Sequence, residues 1–398
     1  MHTMERGLRR FPPESSVEPA GRRLEMGGVV NFKQSSRTAA RPRRRIRLRL
    51  AALLASLACL AGCKRDVSAR PIGPPIDIAA PLGLPPVPIP AGNPPTAAAI
   101  ALGRRLFYDA RLSKDDSLSC ASCHRSQLAF TDAKPLSLGV GGIFGLRHAP
   151  SLINAAYTPL LFWDGRAQSL EDQVGSPVLN PLEMNQSHHA VLDKLRADVS
   201  LKPMFQAAFG TDAITFDRVA NAISSFERTI LSGDSPFDRY LYGGEKSALS
   251  PAQVRGLAVF RDPARGNCSS CHTIGPAFAL FTDNQFHNTG EGVDDNGQIV
   301  DLGRFIFTHA DADRGAFKTP GLRNVAVTGP YMHDGKLRTL KDVVDFYAGQ
   351  GNSNPALDER MKAIHLTGQD RADLVEFMRS LTGALPPNLG PPGKDSTP

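Results

Sequence analysis

Cys120-Ala-Ser-Cys123-His124 and Cys268-Ser-Ser-Cys271-His272 decide the reading of this 398-residue chain. Two thiols three positions apart can add to the two vinyl groups of one porphyrin, and the adjacent imidazole is then carried beneath the iron. CxxCH is therefore the attachment signal of c-type haem. A chain with two such signals is expected to hold two covalent haem c groups through Cys120, Cys123, Cys268 and Cys271, with His124 and His272 as the proximal iron ligands. The alternatives are a disulfide pair, a zinc site and a thioredoxin-like redox pair. Zinc held by two CxxC pairs does not explain a His directly after both. A thioredoxin motif requires a βαβ setting that the sequence around Cys120 lacks.

The stretches that lead into the motifs resemble each other. ALGRRLFYDARLSKDDSLSCASCH and VRGLAVFRDPARGNCSSCH both read as a helix, a short loop and then the cysteines, a weak internal repeat. Thr96 is placed to cap the first of these helices, with Ile100, Leu102, Leu106 and Phe107 toward a core. Further helical patterns cover 187–196, 216–231 and 250–260, the last two starting near Thr215 and Ser250 as caps. The Gly- and Asp-rich stretch 284–303 reads as a loop, and no long strand-rich region occurs. The expected fold is all-α, two cytochrome c-like haem domains with long loops. One spans 96–243, the other 244–385, and 386–398 form a tail.

Composition agrees. Hydrophobic residues make up 41% and charged residues 21%, with 36 Gly and 32 Pro, which describes a soluble globular chain rich in loop and excludes collagen, coiled coil and polytopic membrane protein. The formal charge of +7 belongs to the leader, since residues 1–63 hold 13 Lys/Arg against 4 Asp/Glu. The remainder is near −2 and offers no basic surface to a nucleic acid. RPRRRIRLR at 41–49 followed by the apolar run LAALLASLACLAG at 50–62 reads as an export signal, too short to span a bilayer. Leu60-Ala61-Gly62-Cys63 resembles the lipobox of bacterial lipoproteins, which implies cleavage before Cys63 and a stable acyl anchor there. The alternative is a plain secretory peptide cut after Ala61 or beyond. Lys64 in place of Asp points, by the same resemblance, to the outer membrane. A periplasmic location suits haem c, whose attachment is a periplasmic process in such cells. Residues 1–25 carry no pattern, and Met26 is a candidate start. Residues 64–95 form a Pro-rich linker, with Pro at nearly every third position of 65–95, expected to be an extended, semi-rigid tether before folded sequence begins near Thr96.

The two CxxCH motifs, Arg147-His148-Ala149-Pro150-Ser151-Leu152-Ile153-Asn154, Phe162-Trp163-Asp164-Gly165-Arg166-Ala167, Pro181-Leu182-Glu183-Met184, Lys318-Thr319-Pro320-Gly321-Leu322-Arg323-Asn324 and Tyr331-Met332-His333-Asp334-Gly335 resemble the bacterial di-haem cytochrome c peroxidase and MauG family over about 93–385. The resemblance implies a peroxide site at the first haem, with Gln173 and Glu183 in its distal pocket. One carboxyl above the iron can move a proton from one peroxide oxygen to the other as base and then acid, while Gln173 can only orient by hydrogen bonds. Pro177 matches a pocket-wall position. Trp163, the only Trp, is placed by the resemblance between the haems as an electron path; unplaced, it would read as a core or interface aromatic. The loop 136–147 lacks the His that ligates the first haem in well-studied peroxidases, which implies an open iron there and no reductive activation step. His148 is the nearest alternative ligand. It stands where the family more often has an Asn connected with calcium; Thr328 and Pro330, whose counterparts offer carbonyls to that ion, are present.

For the second haem, the helix read over 339–349 places Tyr347 where peroxidases have a distal Met, matching MauG. A phenolate ligand stabilises ferric iron and lowers the potential; a buried core Tyr beside Phe346 is the alternative. Met332, Met361 and Met378 compete by chemistry but not by position. MauG oxidises its protein substrate through a Trp two residues before its second CxxCH, where this chain has Gly266. His188, His189, His287, His309 and His365 have no motif context and read as solvated or structural. The resemblance thus implies a peroxidase reducing hydrogen peroxide to water, with electrons entering through the second haem. A MauG-like oxidant of a protein or small molecule, and a non-catalytic di-haem electron carrier, are the alternatives. The expected partners are hydrogen peroxide, a small electron-donor protein such as a c-type cytochrome or cupredoxin, a membrane through the lipid anchor, and a second copy of the chain.

Overall fold

Two helix crossings, each closed at a glycine, organise the chain. The computed structural model describes residues 69–294 and 296–393; the export signal, the lipobox and Cys63 lie outside them. The helices in order are α1 (Ala97–Phe107), α2 (Cys120–Cys123), α3 (Leu170–Leu179), α4 (His188–Ala197), α5 (Leu201–Phe209), α6 (Phe216–Glu227), α7 (Pro236–Leu241), α8 (Pro251–Arg261), α9 (Phe305–Thr308), α10 (Leu340–Ala348) and α11 (Gly368–Arg379). Among the described residues the only sheet pairs β1 (Phe286–His287) antiparallel with β2 (Phe317–Lys318). The protein is helix-rich with little sheet, and no described helix is long and apolar enough to cross a membrane.

The helix starts follow local chemistry. Thr96 accepts from the Ala99 amide, Thr215 from Arg218, and Ser250 and Gln253 close a capping box with Pro251 at the first turn. Helix α1 crosses α6 at Gly103, where a Cβ would strike the Ala222 carbonyl; α8 crosses α11 at Gly256, where a Cβ would strike the Asp373 carbonyl. Each crossing carries its own apolar cluster. Leu102, Leu106, Phe107, Phe130, Phe205 and Phe226 belong to the first, and Phe237, Phe260, Phe281, Leu374 and Phe377 to the second. In the first, Phe107 meets Phe130 and Phe226 at 6.3 and 5.3 Å; in the second, Phe281 meets Phe237 and Phe260 at 5.0 and 6.2 Å, all edge to face.

Three expectations need correction. The Pro-rich stretch is extended, but residues 69–95 are not a free tether. An extended Pro-rich backbone leaves its carbonyls without internal donors, and here the folded body supplies them: Asn221 Nδ2 to Ala69 O at 2.8 Å, Asp234 N to Leu82 O at 2.8 Å, Arg323 Nη2 to Gly83 O at 2.6 Å, and Tyr157 Oη to Pro85 O at 2.8 Å. The tail returns to the first half, where Leu389 is buried and Tyr108 Oη donates to its carbonyl at 2.7 Å. Helix α6 ends at Glu227, short of Leu231, while Ile100 packs half-buried against the first cluster, on the side its spacing implies.

Candidate functional site

Both CxxCH motifs open onto one cavity of about 1420 Å³, larger than the roughly 300–1,000 Å³ typical of a one-ligand pocket. The four thiols are free, so no disulfide joins them. Burial pushes the Cys123 thiol up to about 11 and Cys268 up to about 12, the opposite of the depressed thiol of a redox-active pair. Nor do the two pairs converge on a metal: among the described residues, the close group of ligating side chains is Cys271, Asp283 and His287. The histidines match the haem reading. His124 Nδ1 lies 3.1 Å from the Phe130 carbonyl and His272 Nδ1 lies 2.8 Å from the Phe281 carbonyl. A carbonyl can only accept, so each Nδ1 carries the proton and each Nε2 is left with its lone pair for iron.

The two halves repeat further than the motifs suggest. Phe130-Thr131-Asp132 and Phe281-Thr282-Asp283 follow the two CxxCH sites, with both Phe residues left-handed at φ 60° and 54°. The run from Pro150 to Asp172 matches that from Pro320 to Asp342: Asn154 with Asn324, Phe162 with Met332, Gly165 with Gly335, all at positive φ. Trp163 corresponds to His333, and α3 to α10. Along those helices Gln173 corresponds to Val343, and Pro177 to Tyr347. The same place in each half therefore holds a ring without a donor atom in the first and a phenol in the second. Both line the cavity. Among the described residues no protein group pairs with the Tyr347 hydroxyl, and burial pushes its ionisation well above the ordinary range; coordination to ferric iron would supply the missing partner.

The halves interlock through equivalent residues. His148 and Lys318 precede the matching Ala149-Pro150 and Thr319-Pro320. The His148 amide donates to the His333 carbonyl at 2.7 Å, and the Lys318 amide donates to the Trp163 carbonyl at 2.8 Å. Trp163 Nε1 returns to the His148 carbonyl at 2.9 Å, so the indole is fixed at the seam. The His148 imidazole is held by the wall: Nδ1 donates to the Lys134 carbonyl at 2.7 Å and Nε2 lies 3.4 Å from Thr131 Oγ1.

Gln173, Pro177 and Glu183 come together on α3 and the turn after it, all lining the cavity. Pro177 sits inside the helix and leaves the Gln173 carbonyl without its i+4 donor. Asn180 Nδ2 donates to Glu183 Oε1 at 2.6 Å. Burial pushes the Glu183 carboxyl above its ordinary range, while that hydrogen bond and the Arg166 charge pull it back. The loop without a His packs on the same segment, its Val140 amide donating to the Glu183 carbonyl at 2.8 Å.

The Di-haem cytochrome c peroxidase family model matches residues 97–246. Methylamine utilization protein MauG of Methylophilus methylotrophus is 36% identical over 297 residues, 75% of this chain and 86% of that protein. The chain belongs to the di-haem cytochrome c peroxidase family. Cytochrome c551 peroxidase of Pseudomonas aeruginosa is 35% identical over 300 residues, 74% of this chain and 82% of that protein. The crystal structure of a MauG-like protein associated with microbial copper homeostasis superposes with a TM-score of 0.70 at 34% identity, covering 76% of this chain and 94% of that one. The protein is thus a peroxidase-type oxidoreductase of a family that carries two haem c groups.

Several residues of this peroxidase carry no signal in a single sequence. Arg166 stacks on Phe162 with its Cζ 3.5 Å from the ring centroid, and its Nη1 reaches Asp164 at 2.8 Å. The buried Asp164 also receives Arg147, whose other arm pairs with Asp301 at 2.8 and 2.9 Å. Glu227 lines the cavity; its Oε2 has no partner, and burial pushes the carboxyl up to about 8. The repeat could have revealed the roles of Arg166 and Asp164 through their counterparts Lys336 and Asp334. At Gly266 a Cβ would strike the Val259 carbonyl, so the position where MauG has its Trp has no room for a side chain.

Proposed function

We propose that the protein reduces hydrogen peroxide to water in the first-half pocket, with electrons delivered through the second half, and that each half is a haem domain. The observation that carries this reading is the repeat position occupied by Pro177 in one half and Tyr347 in the other. When bound, the haems supply redox-active iron, attached through Cys120 and Cys123 with His124, and through Cys268 and Cys271 with His272. The residues do the rest. Pro177 offers no ligand atom and would leave the first haem accessible to peroxide, whereas Tyr347 would offer its hydroxyl to the second. Gln173 orients the peroxide. Glu183 takes a proton from one peroxide oxygen and returns it to the other, so that H2O2, two electrons and two protons give two waters. Trp163, held at the seam by His148, bridges the halves for electrons.

Calcium at the seam is part of the proposal, with the Thr328 and Pro330 carbonyls as ligands; both line the cavity, while His148 is committed to Lys134 and is not the side-chain ligand. An anionic Tyr347 ligand favours a reductant other than a high-potential cytochrome, and the closed position at Gly266 speaks against the route that MauG uses on its protein substrate. The periplasmic location, the acyl anchor at Cys63 and pairing with a second copy rest on the sequence and the family, and intact-mass analysis of the membrane fraction tests the anchor. A resting spectrum with and without peroxide tests the catalytic reading: one high-spin ferric centre that reacts with peroxide is expected. Two low-spin centres inert to peroxide would make the protein an electron carrier.

A further inference from the structure

Lys318 is a cation without an anion. Its side chain lines the cavity shared by the two CxxCH motifs. Among the described residues no carboxylate, carbonyl or hydroxyl pairs with its ammonium, and no charged neighbour acts on it; burial alone pulls it down to about 8. Its backbone leaves it little freedom. The amide is tied to the Trp163 carbonyl at 2.8 Å, and the residue pairs with Phe286 across β1 and β2. Alternation along β2 sends Phe317 to one face, where it stacks on His333 at 3.6 Å, and Lys318 to the other. Its counterpart in the first half, His148, has its side chain satisfied by Lys134, and among the described residues nothing plays that role for Lys318.

A half-buried ammonium with no protein anion in reach, on the wall of the cavity that serves both CxxCH motifs, is placed to meet an anion that enters that cavity. Each haem c brings two propionate carboxylates, and the haems are the anion-bearing groups that this cavity is built to take. We propose that Lys318 is the counter-ion of a haem carboxylate at the seam beside Trp163, and that its charge raises the potential of that haem. The inference rests on the two-haem reading above. Its sign follows from Coulomb's law: ferric iron carries one more positive charge than ferrous, so a nearby cation disfavours it, and a carboxylate stripped of its partner favours it.

The test uses the full chain matured with its cofactors. Denatured mass first counts the covalent haems; fewer than two would overturn the two-haem reading together with this inference. Optical redox titrations of wild type, K318M and K318R then follow both haems. In K318M the ferric-to-ferrous ratio of one haem at fixed potential rises at least tenfold, a drop of about 59 mV for a one-electron couple. K318R, which keeps the charge, stays within threefold of wild type. Unchanged potentials for both haems in K318M, with two haems present, would overturn the inference while leaving the peroxidase reading intact. Should K318M not accumulate, K318Q removes the charge at similar length and is judged by the same shift.

Discussion

The α-carbon of Gly103 lies directly against the carbonyl oxygen of Ala222, and Gly256 meets the carbonyl of Asp373 in the same way. These contacts set the approach of α1 to α6 and of α8 to α11, and they place each helix pair against its haem-attachment motif. Gly103→Ala and Gly256→Ala force the helices apart and are expected to lower stability by about 1–3 kcal/mol each. Gly368→Ala, with nothing within 4 Å of its added carbon, should instead be neutral or stabilising by up to about 1 kcal/mol. Urea unfolding of the haem-loaded protein reads all three; equal stability for Gly103→Ala and wild type would refute the close-crossing account.

Glu183 receives its hydrogen bond from Asn180, a donor that favours the carboxylate. A base must be ionised to take a proton, so activity falls as pH drops through the Glu183 pKa. Removing the donor in Asn180→Ala raises that pKa further, and the acid limb of the pH–rate profile moves to higher pH while the plateau is retained. Glu183→Gln slows peroxide cleavage by about 10² or more at every pH. Stopped-flow mixing with peroxide from pH 5 to 8 measures both; an unmoved acid limb in Asn180→Ala would place the titrating group elsewhere.

Much of this site is legible where it depends on neighbours in sequence. The cysteines, the caps Thr96 and Ser250, and the helix from Thr339 to Gly349 are local patterns, and they occur where those patterns place them. Tyr347 stands out by family position, and its equivalence to Pro177 needs only the two halves aligned. Lys318 and Glu227 are different. A lysine or glutamate in one sequence reads as solvated, because burial without a partner arises only when distant segments close around it. The same holds for the Pro-rich stretch, whose partners Asn221, Asp234 and Arg323 lie far along the chain.

Tyr347 lines the cavity at the place in the second half that Pro177 takes in the first, and among the described residues no protein group pairs with its hydroxyl. If it ligates the second haem as proposed, its phenolate would hold that haem at a low potential, and Tyr347→Met would exchange a hard anion for a neutral thioether. The potential of the second haem is expected to rise by well over a tenfold change in the ferric-to-ferrous ratio. Potentiometric titration followed at the low-spin bands reads the change, and an unaltered value would remove Tyr347 from the iron.

Glu227 supplies a stability test with a defined sign. Its buried carboxyl is pushed from an ordinary 4.5 up to about 8, so the folded state keeps a proton that the unfolded chain gives up near its ordinary pKa. A group raised in this way binds more protons folded than unfolded between those values. Its contribution therefore declines as pH climbs from about 4.5 to 8 and levels off above. Glu227→Gln cannot ionise and removes this decline. The haem-loaded variant should match wild type near pH 5 and exceed it increasingly toward pH 8, by an amount on the order of a few kcal/mol. Denaturant midpoints of both proteins at pH 5, 6.5 and 8 decide the matter: parallel curves would mean that Glu227 is already ionised and paired once the cavity is filled.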